Sequence, residues 1–94
     1  MKILDVEIPD ELEQGFRLWC KIVKYPVDEK YFIEFLSDAK LHNGVGIEKN
    51  NIFYLSETQM NFDSYYVFNL KSKSIAPFLI EFITYLKQIE NEYR

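Results

Sequence analysis

Residues 15–26 read GFRLWCKIVKYP, and the fold turns on how this stretch is taken. It holds the one tryptophan and the one cysteine of the chain, with Arg17, Lys21 and Lys24 set between them. Taken as a strand it has period two, with Phe16, Leu18, Cys20 and Ile22 on one face. Arg17, Trp19, Lys21, Val23 and Tyr25 then share the other face. The first set is wholly apolar, so that face is expected against the core, and Pro26 stops the strand.

On the N-terminal side, Leu4-Asp5-Val6-Glu7-Ile8 alternates strictly, the pattern of a half-buried strand. Pro9 ends it, and PDELEQ is expected to form one acidic helical turn closed by Gly15. On the C-terminal side, Asp28 is placed to cap a helix running to about Lys40, with Phe32, Phe35, Leu36 and Ala39 as its buried stripe and Ile33 beside it. The glycines of HNGVG break that helix. Two short strands are expected at about 45–49 and 52–56, joined through Asn50-Asn51, whose side chains tolerate a tight turn. ETQMNFDS is expected as a polar loop, and Tyr65-Tyr66-Val67-Phe68-Asn69-Leu70 as a fifth strand. A last helix begins near Pro77, a residue tolerated in a first helical turn. Leu79, Phe82, Ile83, Leu86 and Ile89 recur along it at helical spacing.

The expected fold is therefore α+β: a two-layer sandwich of about five mostly antiparallel strands, with two helices on one face. The element order is β-β-α-β-β-β-α, in a single domain covering residues 1–94. The sheet face away from the helices is left open.

Composition narrows the function classes. Ninety-four residues with 48% apolar and 17% aromatic content support a core without staples. A single cysteine cannot build a disulfide framework. Together with an N-terminus lacking a signal-peptide apolar run, it points to a reducing, cytoplasmic setting. No apolar run approaches the roughly 20 residues that span a bilayer, so no membrane role is expected. Scarce Ala and Gly beside abundant Lys, Ile, Asn, Tyr and Phe point to an AT-rich bacterial or phage genome. The net charge of −4 is uneven: residues 1–14 set Lys2 against Asp5, Glu7, Asp10, Glu11 and Glu13, whereas residues 15–25 carry only cations. An acidic chain argues against direct nucleic-acid binding, which depends on clustered cations, and fits a basic or nucleic-acid-handling protein partner.

Catalytic and metal chemistry finds no constellation in the sequence. Metal centres need three or four converging ligands, and the chain offers one histidine, His42, and one cysteine, Cys20. Cys20 falls among apolar residues in the alternation, where a thiol is inert. Glu34 and Asp38 lie on a solvated helix face, and Asp28 and Glu29 complement a helix start. Asn43-Gly44-Val45-Gly46 lacks the third glycine and the strand-before-helix context of a dinucleotide loop. No catalytic residue, metal or cofactor is assigned, and the chain is expected not to be an enzyme.

What remains is surface. Arg17, Trp19, Lys21 and Tyr25 would share the open sheet face, with Tyr65 on a neighbouring strand, and Trp, Tyr and Arg are enriched in interface hot spots. Met60 and Phe62 would be apolar tips of the ETQMNFDS loop, either partner anchors or covers for the core edge. These residues form the candidate interface, for a protein partner or for a second copy in a homodimer. Cross-strand charge and aromatic pairing within one sheet explains the same residues without a partner.

The segment from about residue 12 to 47 also resembles the YggL-type family of small bacterial 50S-ribosome-binding proteins. Glu13-Gln14-Gly15-Phe16, the stretch with Trp19-Cys20-Lys21, the acidic helix start Asp28-Glu29, and Lys40-Leu41 before Gly44-Val45-Gly46 carry the resemblance. The chain begins MKILDVEIPDE where that family has a basic arm, its helix is shorter, and it lacks the tryptophan-glycine segment after the glycines. The expected function is an acidic, non-enzymatic protein-binding module of immunity or inhibitor type, blocking a basic partner surface. The resemblance implies a ribosome-associated factor as the alternative.

Overall fold

The computed structural model describes residues 1–44 and 52–92. A hairpin of β1 (Lys2–Ile3) and β2 (Val6–Glu7) leads into helix α1 (Asp10–Val23), a 3-10 turn (Glu29–Tyr31) and helix α2 (Phe32–His42). Strands β3 (Phe53–Leu55), β4 (Gln59–Phe62) and β5 (Tyr65–Asn69) follow as an antiparallel meander, then helix α3 (Pro77–Glu92). The α+β class and the antiparallel strands agree with expectation. One five-stranded sheet with two helices does not form: among the described residues the strands divide into sheets of two and three, and there are three helices.

The difference arises at residues 15–25, which are helical rather than extended. Phe16/Cys20 and Leu18/Ile22 are four apart, a spacing that a strand face and a helix face share. Leu12 and Trp19 decide between them. Leu12, Phe16, Trp19 and Cys20 recur at i, i+4, i+7 and i+8, and all four are buried. Gly15 is therefore not a terminator. It sits inside α1, where a Cβ would fall 2.6 Å from Cδ1 of Ile83, and so lets α1 and α3 approach closely. The uneven charge has the same origin. Asp10, Glu11 and Glu13 occupy the first turn of α1 and Lys21 the last, and Lys24 closes the helix in the left-handed region at φ 65°. Acids at the start and cations at the end complement the helix dipole.

The expected strand over residues 4–8 is also redistributed. Leu4 (φ 52°) and Asp5 (φ 61°) form a two-residue left-handed turn that folds Val6–Glu7 back on Lys2–Ile3. Ile3 and Ile8 are buried and Leu4 is exposed. The Met1 amino group ion-pairs with Glu7 and Glu13, tying the hairpin to α1. Glu13, then Glu7, raises that amine above its ordinary range, and the amine holds the Glu13 carboxyl below its own.

Asp28 caps as expected, its carboxylate accepting from Lys30 N at 3.0 Å, although the turn it opens is 3-10 before α2 begins. Phe32, Phe35, Leu36 and Ala39 form the buried stripe. The expected strand at 45–49 and the Asn50-Asn51 turn lie outside the described residues. Instead of a loop, ETQMNFDS contains β4, whose alternation turns Met60 and Phe62 inward. Asp63 (φ 49°) and Ser64 (φ 70°) make the tight turn into β5. The β4–β5 register shifts at Met60/Asn61, so consecutive Val67 and Phe68 are both buried.

Rings bind the layers together. Phe16 meets Phe32 at 5.4 Å and Phe35 at 5.6 Å between centroids, joining α1 to α2. Phe35 meets Phe82 at 5.8 Å, joining α2 to α3, and Phe32 meets Phe53 at 6.1 Å, joining α2 to the meander. Each fully buried side chain of this kind contributes roughly 1.5–3 kcal/mol.

Candidate protein interface

The helical course of residues 15–23 separates the residues that a strand would have gathered. Trp19 is 2% exposed and belongs to the core, so it is not on an open face. Its indole Nε1 donates to Asp38 Oδ2 at 2.8 Å, which satisfies the one polar atom of the ring. Met60 and Phe62 are fully buried and are not loop tips. Arg17 and Lys21 project from α1 into solvent, Arg17 pairing with Glu13 at 3.4 Å and Lys21 with Glu90 at 3.9 Å. Such exposed pairs stabilise by only about 0–1 kcal/mol. Tyr25, beyond the Lys24 cap, stacks on Tyr31 at 4.5 Å and meets Trp19 edge-on at 5.6 Å. The Glu34 carboxylate beside it, with some burial, pushes its phenol up. Tyr65 lies on β5 with its ring 4.8 Å from Nζ of Lys40.

Lys40 enters the sequence reading only as a helix end and as part of the Lys40-Leu41 pair, with no site role. It is 2% exposed, its Nζ lies 2.6 Å from Asp63 Oδ2, and it sits over the Phe62 and Tyr65 rings. This ammonium fastens α2 to the β4–β5 turn. Having a partner and two aromatic faces, it is a structural clamp and not a free reactive amine.

The catalytic candidates are placed apart as well. Burial pushes the Cys20 thiol up, away from the thiolate form. His42, at the end of α2, stacks on Tyr85 at 4.4 Å. Among the described residues, no group of three or more His, Cys, Asp and Glu is placed to hold a metal. No described helix is long and apolar enough to cross a membrane.

An open sheet face does exist, but different residues make it. Cross-strand partners share a face, and Tyr54 pairs with Asn61, which pairs with Tyr66, in one row across all three strands. Gln59 and Asn69 pair beside them. The opposite face carries Phe53, Met60, Phe62 and Phe68 toward the core. Tyr54 is 47% exposed, Gln59, Asn61 and Asn69 are half-buried, and Tyr66, also half-buried, packs in part against the core. Among the described residues the Asn61 and Gln59 side-chain amides make no hydrogen bond. None of the residues of β3, β4 and β5 is charged, although 28% of the chain is. The signal was present in the sequence as QMNF, where polar uncharged and apolar residues alternate, and as the uncharged YYVFN.

Comparison with family models, with curated proteins and with solved structures gives no match to this chain.

Proposed function

We propose that the chain is a small, acidic, non-enzymatic protein-binding module of inhibitor or immunity type that docks through the Tyr54–Asn61–Tyr66 row. The observation that carries this reading is an uncharged face, rich in tyrosine and amide groups, on a chain with a dense charge elsewhere. Interface centres are depleted of charge and enriched in aromatics. Tyrosine supplies contact area at low entropic cost, and Asn and Gln supply adaptable hydrogen bonds. The net charge of −4 around this face would steer a basic partner toward it and raise the association rate. The partner is thus a protein with a basic rim, and inhibition is by occupation of its surface.

Affinity capture from the native host, read by mass spectrometry, tests this directly. The wild-type chain is expected to retain one predominant basic protein, and Asn61→Arg, which adds a cation to the centre of the face, is expected to lose it. Retention of the same partner by Asn61→Arg would defeat the reading. Recovery of large ribosomal subunits in place of one protein would favour the ribosome-associated alternative.

A further inference from the structure

Among the described residues, strand β3 is hydrogen-bonded on one side only, to β4. Ile52 O accepts from Asp63 N at 2.8 Å and Ser56 N donates to Gln59 O at 2.9 Å. In an antiparallel ladder such positions alternate, so Ile52, Tyr54 and Ser56 turn their backbone groups toward β4. Phe53 and Leu55, lying between, turn their N–H and C=O groups to the free edge. No described residue pairs with them there. The edge also lacks the usual protections, since Ile52–Ser56 contains neither a charge nor a proline.

A knob and a hole lie on the same side of this strand. Leu55 is 52% exposed and, two residues along, shares a sheet face with Phe53. Phe53 lines an apolar pit of about 80 Å³ together with Ile3, Leu4, Glu29, Phe32 and Ile33. No residue of β4 or β5 lines the pit, and its exposed apolar lining residues are Leu4 and Ile33. Its volume suits one aliphatic side chain.

We propose that the β3 edge pairs antiparallel with the β3 edge of a second copy, about a two-fold axis at Tyr54. The meanders then form one continuous sheet, and each Leu55 enters the pit of the other copy. The register favours a second copy over an unrelated strand. A two-fold at Tyr54 sets Phe53 opposite the partner copy's Leu55, and both positions have outward-facing backbone groups, so every donor meets an acceptor. Residues directly opposite share a face, which brings each Leu55 beside the Phe53 that lines the pit. The paired segments Ile52–Ser56 are uncharged, so two acidic chains meet there without like charges opposed, and the carboxylate lining the pit, Glu29, accepts from Leu4 N at 2.7 Å. The contact is isologous and closes at two copies. Its short strands place it at the small end of stable interfaces, with a dissociation constant on the order of micromolar.

The edge and the outer face share Tyr54, so the variants are placed away from it, Leu55 and Ile33 at the edge and its pit and Asn61 on the outer face, and the two readings fail independently. Sedimentation velocity on the full chain, from low micromolar to near-millimolar concentration, should show a monomer–dimer equilibrium. Leu55→Lys removes the knob and Ile33→Glu places a second carboxylate at the pit beside Glu29. Each should weaken association at least about tenfold, as expected for loss of roughly 1.4 kcal/mol, with the thermal midpoint retained. Asn61→Arg should leave association within about twofold, and Leu55→Lys should still capture the partner described above. A wild-type chain that stays monomeric throughout would overturn the proposal. So would a dimer indifferent to both edge variants, or growth past two copies.

Discussion

The indole Nε1 of Trp19 donates to Asp38 Oδ2 at 2.8 Å, joining α1 to α2 across 19 residues of sequence. This bond makes the one tryptophan a part of the core and a reporter of it. Its emission in the native chain is expected to be blue-shifted and protected from acrylamide quenching. Asp38→Ala leaves the buried N–H without its acceptor and should cost about 1–3 kcal/mol in urea unfolding. Trp19→Phe removes the donor together with the need for it, and should leave Asp38→Ala nearly silent in the same background.

The Lys40–Asp63 clamp predicts a larger effect. Asp63→Ala strands an ammonium that is 2% exposed, and loss of one partner of a buried pair costs roughly 3–5 kcal/mol. Lys40→Met with Asp63→Asn removes both charges while keeping the aliphatic volume. That double variant is expected to be more stable than Asp63→Ala alone, measured by denaturant midpoint at constant slope.

Gly15→Ala sets two effects against each other. Alanine improves helix propensity by about 1 kcal/mol. The added Cβ meets the branched, buried Ile83 side chain, and overpacking costs typically about 1–3 kcal/mol. The second effect is expected to prevail, because three Ile83 side-chain atoms crowd the position and the residue is stiff. Ile83→Val in the same chain should recover part of the loss, giving a non-zero coupling in a double-mutant cycle.

Cys20 should resist thiol reagents in the native state and react promptly in denaturant. Burial raises its pKa above the ordinary value of 9.0, so the folded chain holds that proton at a pH where the unfolded chain has lost it. Stability is therefore undiminished by this group below pH 9.0 and declines as pH rises beyond it. Cys20→Ala should flatten that alkaline decline, as read from midpoints across a pH series.

Much of the helical half was legible. The α3 stripe of Leu79, Phe82, Ile83 and Leu86 begins at Pro77 as its spacing implies, and the α2 stripe and the Asp28 cap hold. The stretch 15–25 was not, because period two and period 3.6 both place Phe16 beside Cys20. Leu12 and the acidic first turn, the two features that separate a helix from a strand, lie before Gly15 and outside that stretch. The candidate interface depends on the strand reading, since a helix hides Trp19 and exposes Arg17 and Lys21 only as solvated ion pairs. Leu4 and Asp5 turn the chain without the glycine or asparagine that announces a tight turn. Val67 and Phe68 are buried in succession through a bulge, which no alternation rule reveals.

The place of α3 in the chain has a further consequence. The β1–β2 hairpin, the meander, α1 and α2 can all form from residues already synthesised, yet Ile83 fills the notch at Gly15 and Phe82 covers Phe35. A nascent chain that has not released residues 77–92 from the ribosomal tunnel thus presents a bare aromatic floor. Until α3 docks, that exposed apolar surface is the part of the chain open to aggregation.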